Sequence, residues 1–108
     1  MAIKTNLIVD QGANFVYNVY LVDADGNAFD LSGYSGNAQL RRSYTASSYT
    51  AMNVQVSNTS GLITLTMNAT TTANLTNNRY VYDLELTSNN VVSRIIEGFV
   101  TVNPGVTR

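Results

Sequence analysis

Residues 79–102 read RYVYDLELTSNNVVSRIIEGFVTV. Tyr80, Tyr82, Leu84 and Leu86 occupy every second position, with Val81, Asp83, Glu85 and Thr87 between them, which is the period of a strand with one buried face. The short polar run Ser88-Asn89-Asn90 tolerates the positive φ of a tight connection, and beyond it the apolar pattern resumes at Val92, Ile96, Val100 and Val102. The spacing predicts a long antiparallel hairpin. Two strands do not hold together alone in water, so the rest of the chain must supply strands that cover the apolar face.

Upstream the same period recurs. Phe15, Tyr17, Val19 and Leu21 alternate with Val16, Asn18, Tyr20 and Val22, and because both sets are β-formers this strand is expected to be covered on both faces. Leu7-Ile8-Val9, ended by Gln11-Gly12, reads as a first edge strand. Asp23-Ala24-Asp25-Gly26-Asn27 has the spaced acids of a calcium loop, but its glycine comes too early and no glutamate closes a 12-residue loop. A hairpin turn with Gly26 at positive φ accounts for the same residues. Phe29-Asp30-Leu31-Ser32-Gly33-Tyr34 is a bend that returns apolar side chains to the core. The next strand places Gly36, Ala38 and Leu40 on one face and Asn37, Gln39 and Arg41 on the other.

Met52, Val54 and Val56, then Ile63, Leu65 and Met67, form a second hairpin across the turn Ser57 to Gly61. In Asn68 to Thr76 the alternation breaks, and Ala69, Ala73 and Leu75 suggest one helical turn crossing between sheets. A crossing turn followed by Tyr80 at the start of a strand resembles the tyrosine corner of immunoglobulin-like sandwiches. Seven strands result, near 5–9, 14–22, 34–43, 51–57, 62–68, 79–87 and 91–102. The expected fold is all-β, a single immunoglobulin-like antiparallel β-sandwich over 1–108, with an N-terminal arm (1–6) and a C-terminal tail (103–108). Pro104 falls after the last strand, where its missing N–H harms no ladder.

Composition bounds the chemistry. At 108 residues the chain fits one domain. Only 12% of residues are charged, about half the usual share, and Thr, Ser and Asn fill the deficit. With a net charge of -1 and no basic run beyond Arg41-Arg42, binding to nucleic acid through phosphates is not expected. No apolar run reaches the length of a membrane span or a secretory signal, so a soluble chain made in the cytoplasm is expected. Histidine and cysteine are absent, which removes the commonest general base, metal ligand and soft nucleophile. Asp83 and Glu85 share a strand face, but the simpler reading is a solvated charge pattern answered by Arg94 across the hairpin. No enzyme activity, metal or cofactor is expected.

Candidate partner-binding residues cluster after the third strand. Tyr44 and Tyr49 flank the turn-rich YTASSY; they either lie against neighbouring strands or form a contact patch, where tyrosine brings large area at low entropy cost. Arg41 and Arg42 either meet a carboxylate on a partner or are solvated edge charges that discourage stray strand pairing.

Several motifs occur together: Asp10-Gln11-Gly12, the DL-x-GY bend Asp30 to Tyr34 leading into a strand with basic residues, YVYDLEL at Tyr80 to Leu86, EG-x-VTV at Glu97 to Val102, and the terminal Val106-Thr107-Arg108. In this combination the chain resembles small virion structural proteins of tailed bacteriophages, particularly the T4-like phages of marine cyanobacteria. Similar domains form the virion-anchoring N-terminal part of some tail and baseplate proteins. The resemblance implies a non-enzymatic virion component, made in the host cytoplasm and docked on the capsid exterior or on the neck, tail or baseplate. There it would reinforce the particle or anchor fibres, with other virion proteins as partners and many copies in a symmetric assembly. The alternative is a carbohydrate-binding adhesion module that stacks host-surface glycans on Tyr44 and Tyr49.

Overall fold

The computed structural model describes residues 3–57, 60–76 and 78–106. The first two and last two residues of the chain, the centre of the Ser57 to Gly61 turn, and residue 77 lie outside them. Strands dominate: β1 (Ile3–Lys4), β2 (Leu7–Asp10), β3 (Phe15–Tyr20), β4 (Ser35–Arg41), β5 (Thr50–Val56), β6 (Leu62–Met67), β7 (Arg79–Ser88) and β8 (Val91–Asn103), with one short helix, α1 (Ala69–Ala73). The all-β expectation holds.

The strands form one curled sheet in the order β1-β8-β7-β4-β5-β6-β3, with β2 also on β8. It curls at β5, whose first half pairs with β4 (Ala38 opposite Met52) and whose second half pairs with β6 (Asn53 opposite Thr66). The sheet is mixed rather than wholly antiparallel, because both β1 and β2 run parallel to β8. Ile3 and Lys4, read as part of an arm, therefore belong to the sheet, with Ile3 opposite Ile96. A tight antiparallel return of two or three residues cannot produce this. The first strand crosses to the last one, which alternation within either strand does not reveal.

The central hairpin is the expected one. Asn89 and Asn90 adopt φ of 51° and 66°, the left-handed pair that a two-residue connection between twisted strands demands. Tyr80, Tyr82, Leu84 and Leu86 are buried, and Ile96, Val100 and Val102 meet them from β8. Val92 departs from the expectation: it is 58% exposed. The register slips between Leu84, opposite Ile96, and Glu85, opposite Arg94. Ile95 is thus the extra residue of a bulge, and beyond it the period of β8 changes phase, turning Val92 outward. Strand β3 also departs from the expectation. Phe15 is buried and Tyr17 and Val19 pack on the core, whereas Val16 and Tyr20 are 62% and 67% exposed. Only one face of β3 is covered.

A single core holds both ends of the curled sheet together: Leu7 and Val9 of β2, Leu40 of β4, Ile63 and Leu65 of β6, and Leu84 and Val100 of the hairpin lie in one cluster with Leu31 and Leu75. Leu31 arrives from the bend. Asp30 Oδ1 accepts from the Ser32 N–H at 3.0 Å, the Tyr34 N–H donates to the Leu31 carbonyl, and Gly33 takes the positive φ that closes the turn. The Ser32 hydrogen bond holds the Asp30 carboxyl below its usual range. The loop at 23–27 is a hairpin turn, with Asp23 Oδ1 accepting from the Asp25 and Asn27 N–H groups and Gly26 at φ 83°.

Candidate functional site

Of the four residues marked from sequence, Arg41, Arg42 and Tyr49 line one hollow, and Tyr44 lines another that also reaches Arg41. Arg41 ends β4, and its guanidinium lies 5.0 Å from the Tyr49 ring centroid while donating to the Ala46 carbonyl and, at 3.0 Å, to Gln39 Oε1. It therefore braces the loop after β4 from within. Arg42 lies on the same hollow as Tyr49, with Nη2 3.5 Å from Thr76 Oγ1. Tyr44 and Tyr49 are 72% and 53% exposed.

Two hollows result. The first, about 300 Å³, is lined by Asn37, Gln39 and Arg41 of β4, Tyr44, Asp83 and Glu85 of β7, and Arg94 of β8. The second, about 500 Å³, lies between Arg41, Arg42, Tyr49, Asn74, Thr76 and Tyr80. Asp83 and Glu85 thus line a shallow groove rather than an open strand face. Arg94 answers them as expected: its Nε stands 3.2 Å from Asp83 Oδ2, its Nη1 3.6 Å from Glu97 Oε1, and it lies opposite Glu85 in the ladder. All three groups of the pairs are partly exposed, so the attraction is screened and its worth is small. What the groove offers is two planar amides, two guanidinium groups, two carboxylates and an exposed tyrosine ring, a set suited to hydrogen bonding and stacking. Among the described residues, no group of three or more acidic side chains is placed to hold a metal ion.

Several residues that organise the surface were not singled out from sequence. Gln11 Nε2 donates to the Leu75 carbonyl at 2.9 Å, and its Oε1 accepts from the Gly105 N–H at 3.4 Å, so one side chain ties the start of the chain to the α1 crossing and to its far end. Thr72, fully buried on α1, accepts from the Gly12 N–H at 3.0 Å and donates to the Ala13 carbonyl at 2.8 Å. Asn68 caps α1 by accepting from the Thr71 N–H. Tyr82 donates its hydroxyl to the Thr5 carbonyl at 2.6 Å. Burial, and secondarily Tyr17, push that hydroxyl above the usual tyrosine range. A buried threonine within a Thr-rich run carries no signal in sequence. The Gln11 and Gly12 contacts do coincide with the Asp10-Gln11-Gly12 motif.

Comparison with known proteins finds no family model that matches this chain and no curated protein of similar sequence.

Proposed function

We propose that the chain is a non-enzymatic structural module of a tailed-phage particle, built as an immunoglobulin-like sandwich. It docks on the capsid exterior or on the neck, tail or baseplate. The observation that carries this reading is that the motifs of the resemblance coincide with the parts that hold the fold together. Asp10-Gln11-Gly12 bonds to Thr72 of α1, to Leu75 just beyond it and to Gly105 near the far end, Asp30 to Tyr34 delivers Leu31 to the core, and Tyr80 to Leu86 with Glu97 to Val102 makes the central hairpin. Such motifs mark a shared scaffold whose outer faces are left to vary with the partner.

The strand order supports the finer description of the fold. In the immunoglobulin arrangement, β8, β7 and β4 take the places of strands G, F and C, and β3, β6 and the second half of β5 those of B, E and D. Tyr80 then opens the F-like strand after the α1 crossing. A surface with few charges and many hydroxyls and amides suits docking at repeated sites, where each copy needs only modest contact area. Quantitative mass spectrometry of purified particles tests the proposal. The chain is expected at a fixed copy number per particle, and its absence from particles would overturn the reading.

A glycan-binding role is the second reading, favoured by Tyr44 at the mouth of the groove lined by Asn37, Gln39, Asp83, Glu85 and Arg94. It requires glycan-array binding that Tyr44→Ala abolishes. An array without hits removes it.

A further inference from the structure

The sheet has an open end at β3, and the hydrogen-bond pattern tells which of its backbone groups are unused. The Leu21 N–H donates to the Gly61 carbonyl and the Ser57 N–H to the Leu62 carbonyl. With Tyr20 opposite Leu62 and Val56 opposite Ile63, the odd-numbered residues of β3 direct their N–H and C=O groups at β6. Val16, Asn18 and Tyr20 direct theirs away from β6. The same three residues place their side chains on the exposed outer face. The first half of this edge borders a groove of about 350 Å³ shared with Leu7, Ile8 and Asp10 of β2.

Natural edges are blunted by charges, proline, bulges or interruption. The edge formed by β1 and β2 has these features, since it breaks at Thr5-Asn6 and carries Lys4 and Asp10. Strand β3, FVYNVY, has no charge, no proline and an unbroken register over all six residues.

We propose that β3 is a self-association edge that takes the β3 strand of a second copy of this chain, antiparallel, with Asn18 on the two-fold axis. The sequence of the strand is complementary to itself in that register and in no neighbouring one. Asn18 faces Asn18, Val16 faces Tyr20 and Tyr17 faces Val19, so every pair off the axis joins an aromatic ring to a β-branched side chain, a favourable cross-strand combination. The outward-directed residues meet one another, and each such pair exchanges both N–H···O bonds. On the axis, Asn18 Oδ1 already accepts from the Thr64 hydroxyl at 3.1 Å, which orients the amide and leaves its N–H₂ to donate across the axis. A two-fold contact made by one strand is small, so the dimer is expected to be weak, with a Kd on the order of 100 μM, and to be populated where copies are concentrated. This follows from the strand alone and does not depend on a place in a particle.

Cysteine cross-linking reads the register directly, because the chain has no cysteine of its own. Across the axis the Cα atoms of Asn18 would stand about 5.5 Å apart, within disulfide reach, whereas those of Val16 would be more than about 13 Å apart. Under mild oxidation Asn18→Cys is expected to form a covalent dimer at least about tenfold faster than Val16→Cys. Sedimentation equilibrium of the unmodified chain is expected to show dimer at millimolar concentration. Asn18→Lys, which sets like charges face to face while leaving the near-ultraviolet dichroism unchanged, is expected to abolish it. Equal cross-linking rates, a chain monomeric at about 1 mM, or a dimer that survives Asn18→Lys would each overturn the proposal.

Discussion

Replacing Gly98 by alanine addresses how the N-terminal segment is clamped to the central hairpin. Gly98 lies opposite Tyr82, and a Cβ on it would fall on the Thr5 carbonyl oxygen and 2.9 Å from Asn6 Oδ1. That carbonyl accepts the Tyr82 hydroxyl, the Thr5 N–H donates to the Glu97 carbonyl at 2.8 Å, and Asn6 Oδ1 accepts from the Phe99 N–H at 3.1 Å. The nearest obstructing group, the Thr5 carbonyl, is backbone, so it cannot swing aside as the Asn6 side-chain tip could. Residues 5 and 6 must lift off β8. Overpacking of this kind costs about 1–3 kcal/mol, the lost hydrogen bond adds about 1 kcal/mol, and removing a strand glycine returns about 0.5–1 kcal/mol. The net loss is about 1–3.5 kcal/mol, centred near 2, which for a chain of this length lowers the melting temperature by roughly 4–15 °C. Thermal melts followed by far-ultraviolet dichroism measure it, and amide exchange at Phe99 reports whether the clamp has opened. Gly26→Ala is the control: it has φ 83° but nothing within 4 Å of the added methyl, so only the cost of a left-handed alanine, about 1 kcal/mol, is expected. A Gly98→Ala protein that melts no lower than the control, with Phe99 still protected, would refute the reasoning.

Thr72→Val keeps the shape of the side chain but strands the Gly12 N–H and the Ala13 carbonyl; a loss of about 1–3 kcal/mol is expected in urea titrations, against a few tenths for the exposed Thr70→Val. The Tyr82 hydroxyl is held above its ordinary range in the folded chain, whereas an unfolded tyrosine ionises near pH 10. Its contribution is therefore fully present below about pH 10 and is lost as pH rises beyond it. Tyr82→Phe should be less stable than the parent at pH 8 and show a flatter alkaline limb in urea midpoints taken up to pH 11. Arg41→Ala removes the brace over Tyr49, and amide exchange across residues 43–48 is expected to accelerate while global stability falls by less than about 1 kcal/mol. Unchanged exchange there would show that the loop does not rely on Arg41.

The sequence made the hairpin legible because each of its strands buries one face and the pair Asn89-Asn90 has the residues that a left-handed turn requires. The Asp23 and Asp30 turns were legible for the same reason: a short acid two residues before an N–H is a local event. What escaped was non-local. Ile95 reads as one more apolar residue in VVSRIIEG, and nothing near it announces that it is the extra member of a bulge. The parallel seating of β2 on β8 joins the first strand to the last, and no local pattern encodes the direction in which distant strands meet. Among the marked residues, chemistry identified Arg41 and Tyr49 as partners for something. The structure pairs them with each other, a contact that seven intervening residues conceal.

The strand that was misread is also the informative one. FVYNVY alternates two sets of β-formers, and the expectation of two covered faces rested on that composition. The first strand runs parallel to β8 and does not pair with β3, so the edge of β3 away from β6 stays unpaired beside its exposed outer face. A chain that needed only to fold would gain by placing a charge there, as the opposite edge does with Lys4 and Asp10. Uncharged Val16, Asn18 and Tyr20 fit an edge meant to be paired. The pattern that concealed the exposure of β3 is therefore the pattern that supplies its complement.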